Sequence, residues 1–340
     1  MFEPAQTRRS MEPISIVLCT FNGARYLDTQ LRSLSTQEEV VEIFAIDDGS
    51  TDDTIAILRQ HAARDSRVRI SRNRARFGVA RNFERAIHFA RAPWIALADQ
   101  DDVWLPHKLA RMRAQWDGRA CLLHHASLKF RGAVPTNIPL VAGERRKFSG
   151  SDVRGMLYRN TVVGHATLIR AEVARRITPF PKNVAHDWWL GLGAALHGSV
   201  QYLDEFLVCY RIHETNAYHR MGSRRLRLRQ EHELRLVALS ALLDRRELPD
   251  IARSFVEEYR SLLAQATTNR WSLFQFYRRH AALLFGCERV RPNWLTCWRK
   301  SLTATRDAVA NAQPLNLQGP ALGRAEEQPL DLAPSQSIAQ

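Results

Sequence analysis

The chain has 340 residues, long enough for one large domain or a domain with an appendage. Its 49 Lys and Arg outweigh 35 Asp and Glu, and the net charge of +14 points to an anionic partner without choosing among nucleic acid, anionic lipid and a phosphorylated substrate. No apolar stretch reaches the roughly 20 residues of a membrane span, and the five scattered cysteines (Cys19, Cys121, Cys209, Cys287, Cys297) form no CxxC, as expected of thiols in a reducing compartment.

Residues 1–12 contain no apolar core, so a flexible start and a cytoplasmic chain without a secretory leader are expected, with Met11 as a second candidate start. Residues 14–19 form a β-branched-rich strand that ends in the turn Thr20-Phe21-Asn22-Gly23. Tyr26, Leu27, Leu31 and Leu34 then recur at helical spacing. A second strand over 40–46 breaks at Asp47-Asp48-Gly49-Ser50-Thr51-Asp52-Asp53, where Ser50 and Asp53 have the spacing of a capping box for a helix over 54–63. A short strand over 68–70, an Arg-rich loop and a helix over 79–90 follow. The apolar run Trp94-Ile95-Ala96-Leu97-Ala98 predicts a buried strand. It runs into Asp99-Gln100-Asp101-Asp102, and a helix begins near Leu105-Pro106. Further on, strands are expected over 120–130, 161–170, 200–202 and 206–210. Residues 131–152 have loop composition and suit a mobile cover, and His186-Asp187-Trp188-Trp189 opens an apolar helix to about His197. Residues 221–311 are helical in pattern and basic, and 312–340, rich in Pro, Gln and Ala, are expected to be disordered.

Strands alternating with helices predict a Rossmann-like α/β fold with a mostly parallel sheet, which binds its ligands at the carboxyl ends of the strands. The turns at 20–23, 47–53 and 99–102 all fall there. Three carboxylates within four residues repel one another. A divalent cation relieves that repulsion, because hard ions take carboxylate and phosphate oxygens together. The plain alternative is a solvated acidic turn that caps the next helix. Neither GxGxxG nor GxxxxGK[ST] is present, so a nucleotide must be held by acids, loop amides and a metal ion.

Cys19-Thr20-Phe21-Asn22-Gly23 with Tyr26-Leu27, Asp47-Asp48-Gly49-Ser50-Thr51-Asp52, Asp99-Gln100-Asp101-Asp102 and His186-Asp187-Trp188-Trp189 together resemble, over about residues 13–216, the inverting glycosyltransferases of family 2. With Tyr210-Arg211-Ile212-His213 added, the set is most similar to the bacterial rhamnosyltransferase-like branch. The resemblance implies a GT-A fold over 13–220, with a nucleotide-binding half at 13–115, an acceptor half at 116–220 and a C-terminal helical extension over 221–311.

It also implies roles. Asp48 would accept from the imide N–H of uracil or thymine, with Thr20, Asn22, Arg81 and Asp99 also at the donor nucleotide. Asp101 with Asp99 would hold Mg²⁺ or Mn²⁺, while Asp102 helps either or caps the next helix. Asp187 would be the general base, Arg211 and His213 would close on the diphosphate, and His186, Trp188 and Trp189 would face acceptor or sugar, one indole in the core and the other free to stack. The absence of QxxRW argues against a processive synthase.

The expected reaction moves L-rhamnose from dTDP-L-rhamnose to a glycan or lipid-linked acceptor of a bacterial surface polysaccharide such as O-antigen, with a UDP-sugar donor as the alternative. Competing readings are a non-catalytic relative and a sugar-phosphate nucleotidyltransferase, whose Gly- and Lys-rich loop after the first strand is missing. Specific nucleic-acid binding lacks a recognition motif. The basic helices suggest a peripheral contact with the anionic inner face of the cytoplasmic membrane, weighed against an ordinary solvated face.

Overall fold

Strand β1 (Ile14–Thr20) separates two cores. Its Ile14, Ile16 and Leu18 join Leu27, Leu31 and Leu34 of helix α1 (Ala24–Ser35), whereas Val17 joins Phe83, Ala86 and Ile87 of helix α3 (Val79–Phe89). Side chains of a strand alternate faces, so a strand covered by helices on both sides must be apolar throughout. Strand β4 (Trp94–Asp99) repeats the pattern: Trp94, Ala96 and Ala98 on one side, Ile95 and Leu97 on the other.

The computed structural model describes residues 12–143, 147–214, 224–286 and 294–312. Its eight-stranded sheet has the order β3-β2-β1-β4-β7-β6-β8-β5. The remaining strands are β2 (Val40–Asp47), β3 (Val68–Arg72), β5 (Val103–Trp104), β6 (Leu122–Phe130), β7 (Thr167–Arg170) and β8 (Val200–Arg211). The β1–β2, β1–β4, β2–β3 and β6–β8 pairs are parallel, and β7 runs antiparallel to both β4 and β6. Helices α2 (Thr54–Ala62), α4 (Lys108–Gln115), α5 (Ala171–Arg176) and α6 (His186–His197) complete this part, a mixed α/β sheet flanked by helices as the strand–helix alternation predicts.

Several local expectations are corrected. Strand 161–170 shortens to β7, because Gly164–Ala166 form a 3-10 turn. The two short strands expected over 200–210 are one, with register shifts against β6 from His125 to Ser127. Helix α4 starts at Lys108, after Val103 and Trp104 have paired with β8. The capping box at α2 does not form: Ser50 Oγ donates to Asp47, and Asp52 Oδ1 accepts from Thr54 N at 3.0 Å. In the loop 131–152, Val141 and Gly150 bridge to Glu205 and Val200, so both lie along β8.

Helices α7 (Arg224–Leu243), α8 (Asp250–Ala264), α9 (Arg270–Arg279), α10 (Ala281–Leu284) and α11 (Trp294–Ala312) follow. Leu239, Phe255, Phe276 and Ala308 from this helical part belong to the same hydrophobic cluster as Val17 and Leu97 of the sheet. Among the described residues no helix is long and apolar enough to cross a membrane. The tail at 313–340 lies outside the described residues.

Candidate active site at the strand ends

Register places the polar turns side by side. Thr20 pairs with Asp47 in the β1–β2 ladder, and Cys19 pairs with Asp99 in the β1–β4 ladder. Side chains then lace the turns together. Gln100 accepts from Phe21 N at 2.8 Å and donates to Phe21 O at 3.1 Å. Asn22, with φ 47°, donates its amide to Ser50 Oγ at 2.9 Å and accepts from Thr51 N at 2.9 Å. Thr20 Oγ1 donates to Asp47 Oδ1 at 3.1 Å. Thr20 and Asn22 therefore tie the turn after β1 to the turn after β2.

Asp48 is buried and accepts from Asn73 Nδ2 at 3.0 Å, Phe77 N at 2.8 Å and Gly78 N at 2.9 Å. A carboxylate has about four acceptor positions, so about one remains. Arg76 stands beside it, with Nε 4.0 Å from Asp48 Oδ2 and its guanidinium 4.0 Å from the Phe21 ring centre. Arg81 sits in the first turn of α3, 3.6 Å from Glu84. Arg76 is the arginine that joins the first two turns.

The acids after β4 divide into two groups. Asp99, Asp102 and His165 each offer one ligating atom, all within 4.8 Å of one another. His165 Nδ1 is 3.1 Å from Asp102 Oδ2 and 3.4 Å from Asp99 Oδ2. Asp102 is fully buried; its Oδ1 accepts from Arg211 N at 3.1 Å, while among the described residues Oδ2 accepts no hydrogen bond despite the nearby imidazole. Burial pushes Asp102 up to about 7 against the pull of His165, with Asp99 and Asp101 adding to the rise. Burial also works to raise Asp99, but His165 draws it below the usual carboxylate range. Lys108 is buried beneath them, donating to the His165 carbonyl at 2.6 Å with its ammonium 3.4 Å from the Trp104 ring centre.

Asp101, expected to share a cation with Asp99, places Oδ2 2.6 Å from His213 Nε2. Burial and Asp99 hold its carboxyl above the ordinary value although His213 opposes them. Arg211, the last residue of β8, is buried. Its guanidinium lies 4.6 Å from the ring centres of both Tyr26 and Phe130, with Nε donating to Asp101 O at 2.9 Å and Nη1 to Gly132 O at 3.1 Å.

Asp187 lies in the first turn of α6. Its Oδ1 accepts from Asn160 Nδ2 at 2.9 Å and Trp188 N at 2.7 Å, and Oδ2 accepts from Gly164 N at 3.2 Å. Since His165 follows Gly164, two consecutive residues link Asp187 to the acids after β4. His186 stacks on Phe83, ring centres 4.4 Å apart, and its Nε2 has no partner among the described residues. Neither indole is free to stack on a sugar. Trp188 and Trp189 are both buried, donating to Met156 O at 3.0 Å and Ile177 O at 2.9 Å, which satisfies their N–H groups inside the core.

His165, Lys108 and Asn160 were missed in the sequence. His165 hid in an apolar run that suits a strand, and Lys108 in an ordinary helix start; neither has a motif spacing that marks it.

Similarity to known proteins follows this geometry. Residues 15–178 match the family model described as Glycosyl transferase family 2. An uncharacterized protein of Mycobacterium tuberculosis is 29% identical over 215 residues, covering 61% of this chain and 60% of the relative. An uncharacterized glycosyltransferase of a Nostoc species is 28% identical over 222 residues, 60% and 66% of the two chains. The succinoglycan biosynthesis protein ExoU of Rhizobium meliloti is 29% identical over 106 residues, 31% of each. The chain thus spans about three fifths of the length of the Mycobacterium relative.

Two solved structures share the fold. S. aureus TarS 1-349, in complex with UDP-GlcNAc, gives a TM-score of 0.57 at 16% identity over 87% of this chain and 90% of that one. The mannosyltransferase PcManGT of Pyrobaculum calidifontis, in complex with GDP-Man and Mn²⁺, gives 0.56 at 15% identity over 91% and 88%. The turns and the acids lie inside the stretch that matches: residues 15–178 are similar to the glycosyl transferase family 2 model, on a fold shared with both solved structures.

Proposed function

We propose that the chain is an inverting glycosyltransferase that moves a sugar from a nucleotide-diphosphate donor to a hydroxyl of a polysaccharide precursor, with Asp187 as the general base. The observation that carries this is the Gly164–His165 link, which sets one carboxylate apart from the cluster of Asp99 and Asp102 at the end of β4. Inversion needs that separation: a base on the acceptor side takes the hydroxyl proton while positive charge gathers on the leaving diphosphate. The match to the succinoglycan biosynthesis protein supports a polysaccharide precursor as acceptor.

Asp99, Asp102 and His165 fit a divalent cation, Mg²⁺ or Mn²⁺, because the buried Asp102 Oδ2 accepts no hydrogen bond among the described residues. When bound, such an ion would supply positive charge for the diphosphate. Asp101 and His213 stand next to that cluster, on the diphosphate side. Thr20, Asn22, Asp48 and Arg76 would hold the base and ribose. The remaining acceptor position of Asp48 suits the imide N–H that thymine and uracil share, and cytosine lacks.

The donor favoured is dTDP-L-rhamnose, on the motif set Asp99 to Asp102, His186 to Trp189 and Tyr210 to His213. A UDP-sugar meets the same base contact. The test is a thermal-shift panel of dTDP, UDP, GDP and CDP with Mn²⁺ and with EDTA, followed by transfer assays with the matching sugars. A ligand at 100 times its Kd stabilises the folded state by about 2.7 kcal/mol. A metal-dependent shift with dTDP supports rhamnose, and one with UDP alone discards it. No shift with any nucleotide overturns the donor site.

A further inference from the structure

We propose that the far end of the helical part docks on an anionic lipid surface through the indoles of α9 and α11. Helix α11 buries Ser301, Ala304, Thr305 and Ala308 on one side. Along the edge of that side it exposes Trp294 (79%), Trp298 (42%) and Leu302 (38%), which recur every four residues and so form one stripe. Trp271 of α9, 65% exposed, extends the stripe sideways: its ring stacks on Phe274 at 5.3 Å, and Phe274 meets Trp298 at 6.3 Å. Between the two helices lies an apolar groove of about 960 Å³.

Contiguous exposed apolar surface of this kind marks an interaction face. Its rim selects the occupant. Arg270 and Arg306 line the groove together with Asp307, the one acid of α9 and α11, while Arg299 and Lys300 stand on a neighbouring side of α11 beside Tyr158 and Phe285. Indoles seat at the boundary between headgroups and acyl chains while basic side chains reach the anionic headgroups. Basic side chains outnumber the single acid along α9 and α11, a balance that an anionic leaflet complements. The lipid face stands independently of the donor assignment, because its test needs no turnover.

The experiment is flotation of the full chain with phosphatidylcholine vesicles, with and without phosphatidylglycerol, at low and high salt. The intact protein is expected to float with the anionic vesicles alone and to be released by salt. Trp294→Ser with Trp298→Ser should abolish flotation at an unchanged melting temperature, since both side chains are exposed. Arg299→Gln with Arg306→Gln should reduce it strongly. Equal recovery with neutral vesicles, or flotation unaffected by the indole substitutions, would overturn the proposal. So would a dimer in light scattering that the indole variant disperses while neither protein floats, which would assign the face to a second copy.

Discussion

His213 Nε2 lies 2.6 Å from Asp101 Oδ2, joining residues 112 apart in sequence and fastening the end of β8 to the turn after β4. The Tyr26 ring, 4.9 Å from the imidazole, adds α1 to the same contact. Arg211 holds the strand end independently through Asp101 O and Gly132 O, so removing the imidazole should leave the fold intact. His213→Ala is expected to weaken metal-dependent nucleotide binding by about 10- to 100-fold, the usual effect of losing a group that supports a metal site. Titration calorimetry with nucleotide and Mn²⁺ reads this directly, and unchanged affinity would remove His213 from the donor site.

The buried acid Asp102 predicts a pH dependence of stability with a definite sign. Its carboxyl is pushed up from 3.8 to about 7, so between those values the folded state holds a proton that the unfolded chain has released. Stability from this group is complete below about pH 4 and is lost as pH rises through about 7. Asp102→Asn should therefore flatten the fall in melting temperature across that window in metal-free protein. Mn²⁺ should raise the wild-type melting temperature most at the upper end, where the carboxylate is ionised, and do little for the variant. A melting temperature that responds equally to Mn²⁺ in both proteins would place the cation elsewhere.

What could be read from the sequence was whatever local pattern encodes. Strands β1 and β4 are almost wholly apolar, β2 is so except for Glu42, and all three end abruptly in polar turns, so both the sheet and the edge where those turns gather could be foreseen. Helix α6 has the bounds its sequence predicts, His186 to His197. The exceptions depend on partners far along the chain. The strand expected over 161–170 gives way to a turn because Gly164 donates to Asp187 and His165 faces Asp99 and Asp102. Ser50 has capping spacing, yet Asp47 takes its hydroxyl. Trp188 and Trp189 point different ways around the helix, as spacing predicts, but both directions lead into core.

Helix α6 also owes its seat to small residues. A Cβ built on Gly193 would lie 2.5 Å from both Cδ1 and Cγ2 of Ile177, and 3.1 Å from its Cβ. Alanine favours a helix interior over glycine by about 1 kcal/mol. Here a β-branched side chain must move as a whole, and overpacking of that kind costs about 1–3 kcal/mol. The clash should win narrowly: Gly193→Ala is expected to lower the melting temperature, and Gly193→Val to lower it further. A stabilised alanine variant in thermal denaturation would show that Ile177 yields freely.

The assignment of Asp187 as base makes the last prediction. Its carboxylate is aimed by three donors from separate places: Asn160 on the preceding loop, the Gly164 amide and its neighbour Trp188 N. Asp187→Asn keeps the shape and an acceptor oxygen but cannot take a proton from the attacking hydroxyl. Transfer should fall by about 10²- to 10⁴-fold, the range for loss of a positioned general base. Nucleotide affinity should hold, because the donor-side acids are untouched. Asn160→Ala removes one of the three aiming bonds without removing the base, so kcat should drop less while KM for the donor stays constant. The two variants together separate chemistry from positioning. Near-wild-type turnover in Asp187→Asn would move the base to another group, whatever Asn160→Ala showed. A parallel loss of nucleotide affinity would instead mean that the Gly164–His165 link had shifted the acids with it.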